Sequence, residues 1–194
     1  MGKETATGAR KQEENKRLYL SDELIESIQK LGSIYLDYQS KAKAVEKELK
    51  EQIDHHMSEH CLWESAESIL DIYYCLPMEY PRNYLYDAYW KLIEKRSDTN
   101  IDQAGDKNFI SCEMLETVKH MGRAYVEHFN EARKVQGKMR HQVAEYLNQH
   151  ELWNNPDAIH EVINYLPPGY LRFIMYGFYY RAKESLEKES QEGN

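Results

Sequence analysis

Apolar residues recur along two long stretches of the chain at alternating spacings of four and three. Leu24, Ile28, Leu31, Tyr35, Tyr38, Ala42, Val45 and Leu49 keep this rhythm in the first stretch. Met114, Val118, Met121, Tyr125, His128, Ala132, Val135 and Met139 keep it in the second. Such a heptad predicts a helix with one apolar seam, suited to packing along another long helix. Between Asp22 and His60 there is no proline and a single glycine, Gly32. That helix is therefore expected to run about 57 Å at a rise of 1.5 Å per residue. The next member of each seam is polar, Gln52 and Gln142. A buried amide at such a place lowers stability while fixing register.

Each long helix gives way to a short pair. After His60-Cys61-Leu62-Trp63 and His150-Glu151-Leu152-Trp153, Ser65 and Asn155 stand where an N-cap is wanted. Ala66 and Pro156 follow at the first helical position, then the acids Glu67 and Asp157. Leu76-Pro77 and Leu166-Pro167 stop the second helices. A tyrosine-rich third helix is expected from about Pro81 to Arg96, and again from about Leu171 to Leu186.

The two halves match without a gap when the sequence is shifted by 90 positions, residues 24–91 onto 114–181. The identical pairs include Gly32/Gly122, Tyr35/Tyr125, Gln52/Gln142, His60/His150, Trp63/Trp153, Pro77/Pro167, Tyr80/Tyr170, Arg82/Arg172 and Tyr86/Tyr176. In all 16 of 68 positions agree, against roughly four expected by chance at ordinary residue frequencies. The expected fold is all-α, a tandem duplication of one long heptad-patterned helix plus a short helical hairpin, the copies packed through their long helices. The corresponding divisions are a polar tail over 1–19, repeat one over 20–96, a linker over 97–111, repeat two over 112–186 and a second tail over 187–194.

Composition narrows the partners. The net charge of −8, with acids outnumbering bases 33 to 25, disfavours a nucleic-acid backbone or an anionic membrane surface. The longest uncharged stretch near the end, Phe173 to Tyr180, falls far short of a membrane span. Three cysteines, Cys61, Cys75 and Cys112, none of them matched in the other repeat, suit free thiols in the cytoplasm or nucleus.

Two patterns carry candidate chemistry. His56-Met57-Ser58-Glu59-His60 fits H-x-x-E-H, in which two histidines share a zinc and a glutamate acts as base. Repeat two has Tyr146 and Gln149 in place of His56 and Glu59, so His56 and His60 are only a weak metal pair, and His60 and His150 read as helix-end residues. Arg123 and His128 fit the R-x4-H spacing of some helical ribonuclease domains, with Ser33 and Tyr38 at the matching places. No phosphate loop, Cys-x-x-Cys pair, nucleophile elbow or dinucleotide fingerprint is present, and no cofactor is expected.

The sequence is unusual in holding 16 Tyr against 4 Phe. A tyrosine buries its ring yet needs a partner for its hydroxyl, which suits half-buried positions and interfaces. The third helices concentrate these rings beside arginine: Tyr80, Arg82, Tyr86 and Trp90, then Tyr170, Arg172, Tyr176 and Tyr180. Aromatic rings interleaved with arginine are what protein interfaces use as anchors. Arg82 and Arg172 are expected to bond the carbonyl end of the preceding helix. Gln52, Gln142, His60, His150, Trp63 and Trp153 read as structural pairs. The expected function is non-enzymatic, a scaffold presenting a Tyr/Arg surface to a protein partner, or a homodimer if the seam pairs between chains. A metal-dependent or ribonuclease-type enzyme, and single-stranded nucleic-acid binding by the aromatic hairpins, are the alternatives.

Overall fold

The computed structural model describes residues 19–99 and 109–192. Those residues are all-α, with no strand among them. The elements are α1 (Asp22–Glu59), α2 (Ala66–Cys75), α3 (Asn83–Thr99), α4 (Cys112–Gln149), α5 (Pro156–Tyr165) and α6 (Tyr170–Glu192). Single 3-10 turns, Leu62–Glu64 and Leu152–Asn154, follow the two long helices. Most of the expected N-terminal tail and linker, namely 1–18 and 100–108, lies outside the described residues, as do 193–194.

The helix ends follow local chemistry. Ser21 Oγ accepts from the Leu24 amide at 3.3 Å, and Ser111 Oγ accepts from Met114 at 3.1 Å, so both long helices start on a serine cap. Each ends on a left-handed residue, Cys61 or Glu151, both at φ 54°. Neither is glycine, so the chain reverses there at a cost of about 1 kcal/mol per site. Ser65 then caps α2 through the Ser68 amide, and Asn155 caps α5 through Asp157 and Ala158. Leu76 and Leu166 stop the short helices in extended backbone, ψ 140° and 138°, as the following prolines require. Helix α6 differs from expectation: it continues through Glu192 rather than ending at 186. Residues 183–192 contain neither glycine nor proline, and nothing in them breaks a helix.

The chain divides into two compact units. One runs from Ile34 to Lys134; it joins the later part of α1 and the early part of α4 to the hairpin α2–α3. Its core gathers Ala42, Leu49, Ile53 and Met57 of α1 with Ile69, Ile72, Leu76, Tyr80 and Leu85 of the hairpin. Met114, Val118 and Tyr125 of α4 complete it. Tyr80 is wholly internal: its ring lies edge-on to Tyr125 at 5.2 Å, and its hydroxyl donates to the Glu46 carbonyl at 3.0 Å. Desolvation holds the Tyr80 hydroxyl far above its ordinary pKa, so it remains a donor.

The other unit takes the described residues up to Ser33 together with those from Val135 onward. Leu24 and Ile28 of α1, Met139, Val143 and Leu147 of α4, and Ile159, Val162 and Ile163 of α5 are buried there. Gln142 accepts from Ser27 Oγ at 2.9 Å. The Tyr146 hydroxyl accepts from the Ser21 amide and donates to the Tyr19 carbonyl, both at 3.0 Å, while Glu161 accepts from the Tyr19 amide at 2.8 Å. These three bonds fasten the segment leading into α1.

Each unit also contains one close approach between a glycine and a proline ring. A Cβ added at Gly122 of α4 would lie 2.6 Å from Cδ of Pro77, and one at Gly32 of α1 would lie 3.3 Å from Cδ of Pro167. The proline that ends each short helix is thus seated on the bare backbone of a long one, and at Gly122 even a methyl group would hold it off.

The two distances predict different outcomes for the same substitution. Alanine favours a helix interior over glycine by about 1 kcal/mol, whereas overpacking a fitted contact costs about 1–3 kcal/mol. Gly122→Ala is expected to lower the urea midpoint clearly, since a proline ring cannot swing aside. Gly32→Ala is expected to shift it little. Equal shifts for the two variants would contradict the reading of Gly122 as a seat.

Candidate functional site

Helix α2 buries Ile69 and Ile72, three residues apart, against the core. That choice of inner face puts Tyr73 on the helix edge and Tyr74 on the far side, where it is 74% exposed. Helix α3 buries Leu85, which leaves Tyr86 and Trp90, one turn apart, 50% and 45% exposed. The rings then meet in series. Tyr74 lies edge-on to Tyr73 at 5.4 Å, Tyr73 reaches Tyr86 at 6.3 Å, and Tyr86 meets Trp90 edge-on at 6.0 Å. Tyr89, half-buried, closes the ladder against Trp90 at 5.5 Å. Met78, in the turn between the helices, is exposed beside it in sequence.

The expected arginine–tyrosine surface is redistributed here. Tyr80 belongs to the core, so it offers nothing to a partner. The Arg82 guanidinium is already engaged: Nη1 donates to the carbonyls of Tyr73 at 2.9 Å and Leu76 at 3.3 Å, and the group lies 4.3 Å from the Tyr73 ring centre. It closes the last turn of α2, where carbonyls lack partners within the helix. Tyr86 and Trp90 do reach the surface.

The second hairpin presents a different arrangement. Tyr170, Phe173 and Tyr180 are exposed, and Tyr176 stacks on Tyr180 at 6.5 Å. Arg172 is half-buried and makes no bond like those of Arg82 among the described residues. Arg181 lies 4.9 Å from the Phe178 ring centre. Trp153 packs on Phe178 at 4.8 Å and donates from Nε1 to Asn148 at 2.6 Å, whereas Trp63 packs against the core of its own unit. The two glutamines part company as well: Gln52 donates to Glu48 at 3.4 Å on its own helix. Both are half-buried, so neither is the fully enclosed seam amide that the pattern suggested.

Neither catalytic pattern forms an assembled site. The rings of His56 and His60 are adjacent, 4.6 Å apart, but His56 Nε2 is shielded without a hydrogen-bond partner among the described residues. Glu59 instead lies 3.6 Å from His55, and both are exposed. Among the described residues no three His, Cys, Asp or Glu side chains are gathered to hold a metal. His60 and His150 are exposed, each packed on the ring one turn earlier, His56 or Tyr146. Arg123 and His128 are five residues apart on one helix, about 140° around its axis. Arg123 is exposed and His128 leans on Tyr38 at 6.4 Å. The best-formed depressions are shallow, about 270 Å³ beside Trp153 and Arg181 and about 430 Å³ along Glu127 to Lys134.

Tyr73, Tyr74 and Met78 are the site residues that motif reading passes over. Their signal is the helical phase: once Ile69 and Ile72 face inward, the next two tyrosines cannot both follow. No family model, curated protein or solved structure matches the chain significantly. Among the described residues no helix is long and apolar enough to cross a membrane.

Two measurements check these assignments. Removing a charged donor from two carbonyls costs about 2 kcal/mol, so Arg82→Ala is expected to destabilise by that order and Arg172→Ala by clearly less. Burial, then the neighbouring His60, lowers the His56 pKa from the ordinary 6.5, against an opposing pull from Glu59. The unfolded chain therefore binds a proton more readily than the folded one. Stability from this group is complete above pH 6.5 and falls as the pH drops below it. His56→Gln is expected to flatten that slope in a series of thermal melts, and an unchanged slope would contradict it.

Proposed function

We propose that the protein is a non-enzymatic interaction module whose first hairpin receives a protein partner on the ladder Tyr74, Tyr86 and Trp90. One observation carries this reading. Five aromatic rings lie in consecutive contact on a single hairpin, and three of them are about half exposed or more. A monomeric surface seldom leaves so large a connected aromatic patch uncovered. Rigid Tyr and Trp side chains lose little conformational freedom on binding, so they serve well as anchors.

The architecture fits a scaffold made by tandem duplication. Helices of 38 residues, turns of three and helices of 10 recur in the same order in both halves, their starts 90 positions apart. Under this reading the long heptad-patterned helices serve as the common frame, and the hairpins have diverged for binding. The three free cysteines accord with a reducing compartment such as cytoplasm or nucleus.

The test is capture of partners from the native source with the full chain as bait, repeated with Tyr86→Ala plus Trp90→Ala. Both side chains are exposed, so circular dichroism is expected to stay unchanged. Loss of one specific protein from the captured set is the expected result, a second copy of this chain included. An identical captured set with both baits would sink the proposal.

A further inference from the structure

Acidic residues flank the ladder of the first hairpin on both of its helices. On α2, Glu67, Asp71 and Tyr74 stand at spacings of four and three, so they share one face, and all three are exposed. On α3, Asp87, Trp90 and Glu94 stand at spacings of three and four, again exposed on one face. None of these four carboxylates forms an ion pair among the described residues. Lys91, four residues after Asp87 and three before Glu94, is an exposed base on the same face, and Lys95 and Arg96 follow it on α3.

The ring geometry matters equally. Tyr73–Tyr74, Tyr86–Trp90 and Tyr89–Trp90 meet at interplanar angles of 87°, 73° and 78°. In an edge-to-face pair the electron-rich outer face of one ring remains open. Arg82 shows what such a face accepts in this hairpin, its guanidinium lying 4.3 Å from the centre of Tyr73. The second hairpin lacks the combination, with Asn164 and Gly177 at the places of Tyr74 and Asp87, and Arg181 already laid over Phe178.

We infer that the first hairpin binds an arginine-rich segment of its partner protein. Guanidinium groups lie on the open faces of Tyr74, Tyr86 and Trp90, and Glu67, Asp71, Asp87 and Glu94 hold the segment by charge. The inference rests on the interface reading above and adds to it the chemistry of the partner. Arginine suits the ladder better than lysine because its planar, weakly hydrated cation stacks on a ring while still bonding a carboxylate.

The experiment is fluorescence anisotropy of a labelled peptide of alternating Arg and Ser, titrated with the full chain at low and high salt. An alternating Lys and Ser peptide, a Glu and Ser peptide and single-stranded oligothymidylate run beside it. The arginine peptide is expected to bind, more weakly at high salt and more tightly than the lysine peptide. Trp90→Ala, and separately Asp87→Asn with Glu94→Gln, are each expected to weaken it about tenfold. Tyr180→Ala on the second hairpin is expected to leave it unchanged. Equal binding by all variants, or preference for the acidic peptide or oligothymidylate, would overturn the inference. The two proposals fail separately. If Trp90→Ala abolishes capture of a native partner while the arginine peptide does not bind, the interface stands and its basic specificity falls.

Discussion

The seating of Pro77 on Gly122 is the constraint on which the rest of its unit depends. Proline ends α2 because its ring denies the helix another turn. The same ring then needs a surface without a side chain against which to lie. Gly122 supplies one in the middle of a long helix, a place where glycine otherwise weakens the structure. With the proline fixed, the chain leaving α2 turns so that Tyr80 enters the core, and Arg82 comes back under the carbonyls of Tyr73 and Leu76. Helix α3 starts from that anchored turn, which sets the phase that puts Leu85 inside and Tyr86 and Trp90 outside.

The aromatic ladder follows from packing as much as from composition. Tyrosine fills internal space when its hydroxyl finds a carbonyl, as Tyr80 does with Glu46. Tyr84 sits near that limit, its hydroxyl shielded and without a partner among the described residues, and its ring 5.1 Å from the Lys50 ammonium. Desolvation raises the Tyr84 pKa far out of reach, so the hydroxyl stays neutral. Rings that find no such place remain outside and lean on each other. The hairpin therefore holds buried and exposed tyrosines within a few residues, Tyr80 turned inward from the connection between the helices and Tyr84 and Tyr86 on different sides of α3.

Much of the fold was legible from periodicity. The buried residues Leu24, Ile28, Tyr35, Ala42 and Leu49 all stand on the apolar rhythm of the first stretch, and Ser65, Asn155 and the two prolines mark helix ends visible as sequence. The left-handed turns at Cys61 and Glu151 were not legible, because neither residue type favours that backbone. The candidate site was half legible. Tyr86 and Trp90 stand out from the density of rings, and the bonds of Arg82 to the carbonyl end of α2 follow from its place after that helix, but the same density of rings gives no sign that Tyr80 is buried. Side-chain identity gives the kinds of contact available, and only the surrounding elements decide whether a ring faces inward. Likewise His56 and His60 keep a metal-like spacing on α1, while the shielding of His56 Nε2 is a tertiary effect that spacing does not carry.

The reciprocal placing of the two prolines bears on what could survive division of the chain. Gly32 and Pro77 lie before residues 100–108, whereas Gly122 and Pro167 lie after them. A half-chain cut in that interval keeps one glycine and one proline, yet it holds neither complete contact. Its own proline has no seat, and its own glycine receives no ring. The two fragments supplied together contain both pairs in full, so complementation, rather than folding of either half alone, is the behaviour this arrangement dictates.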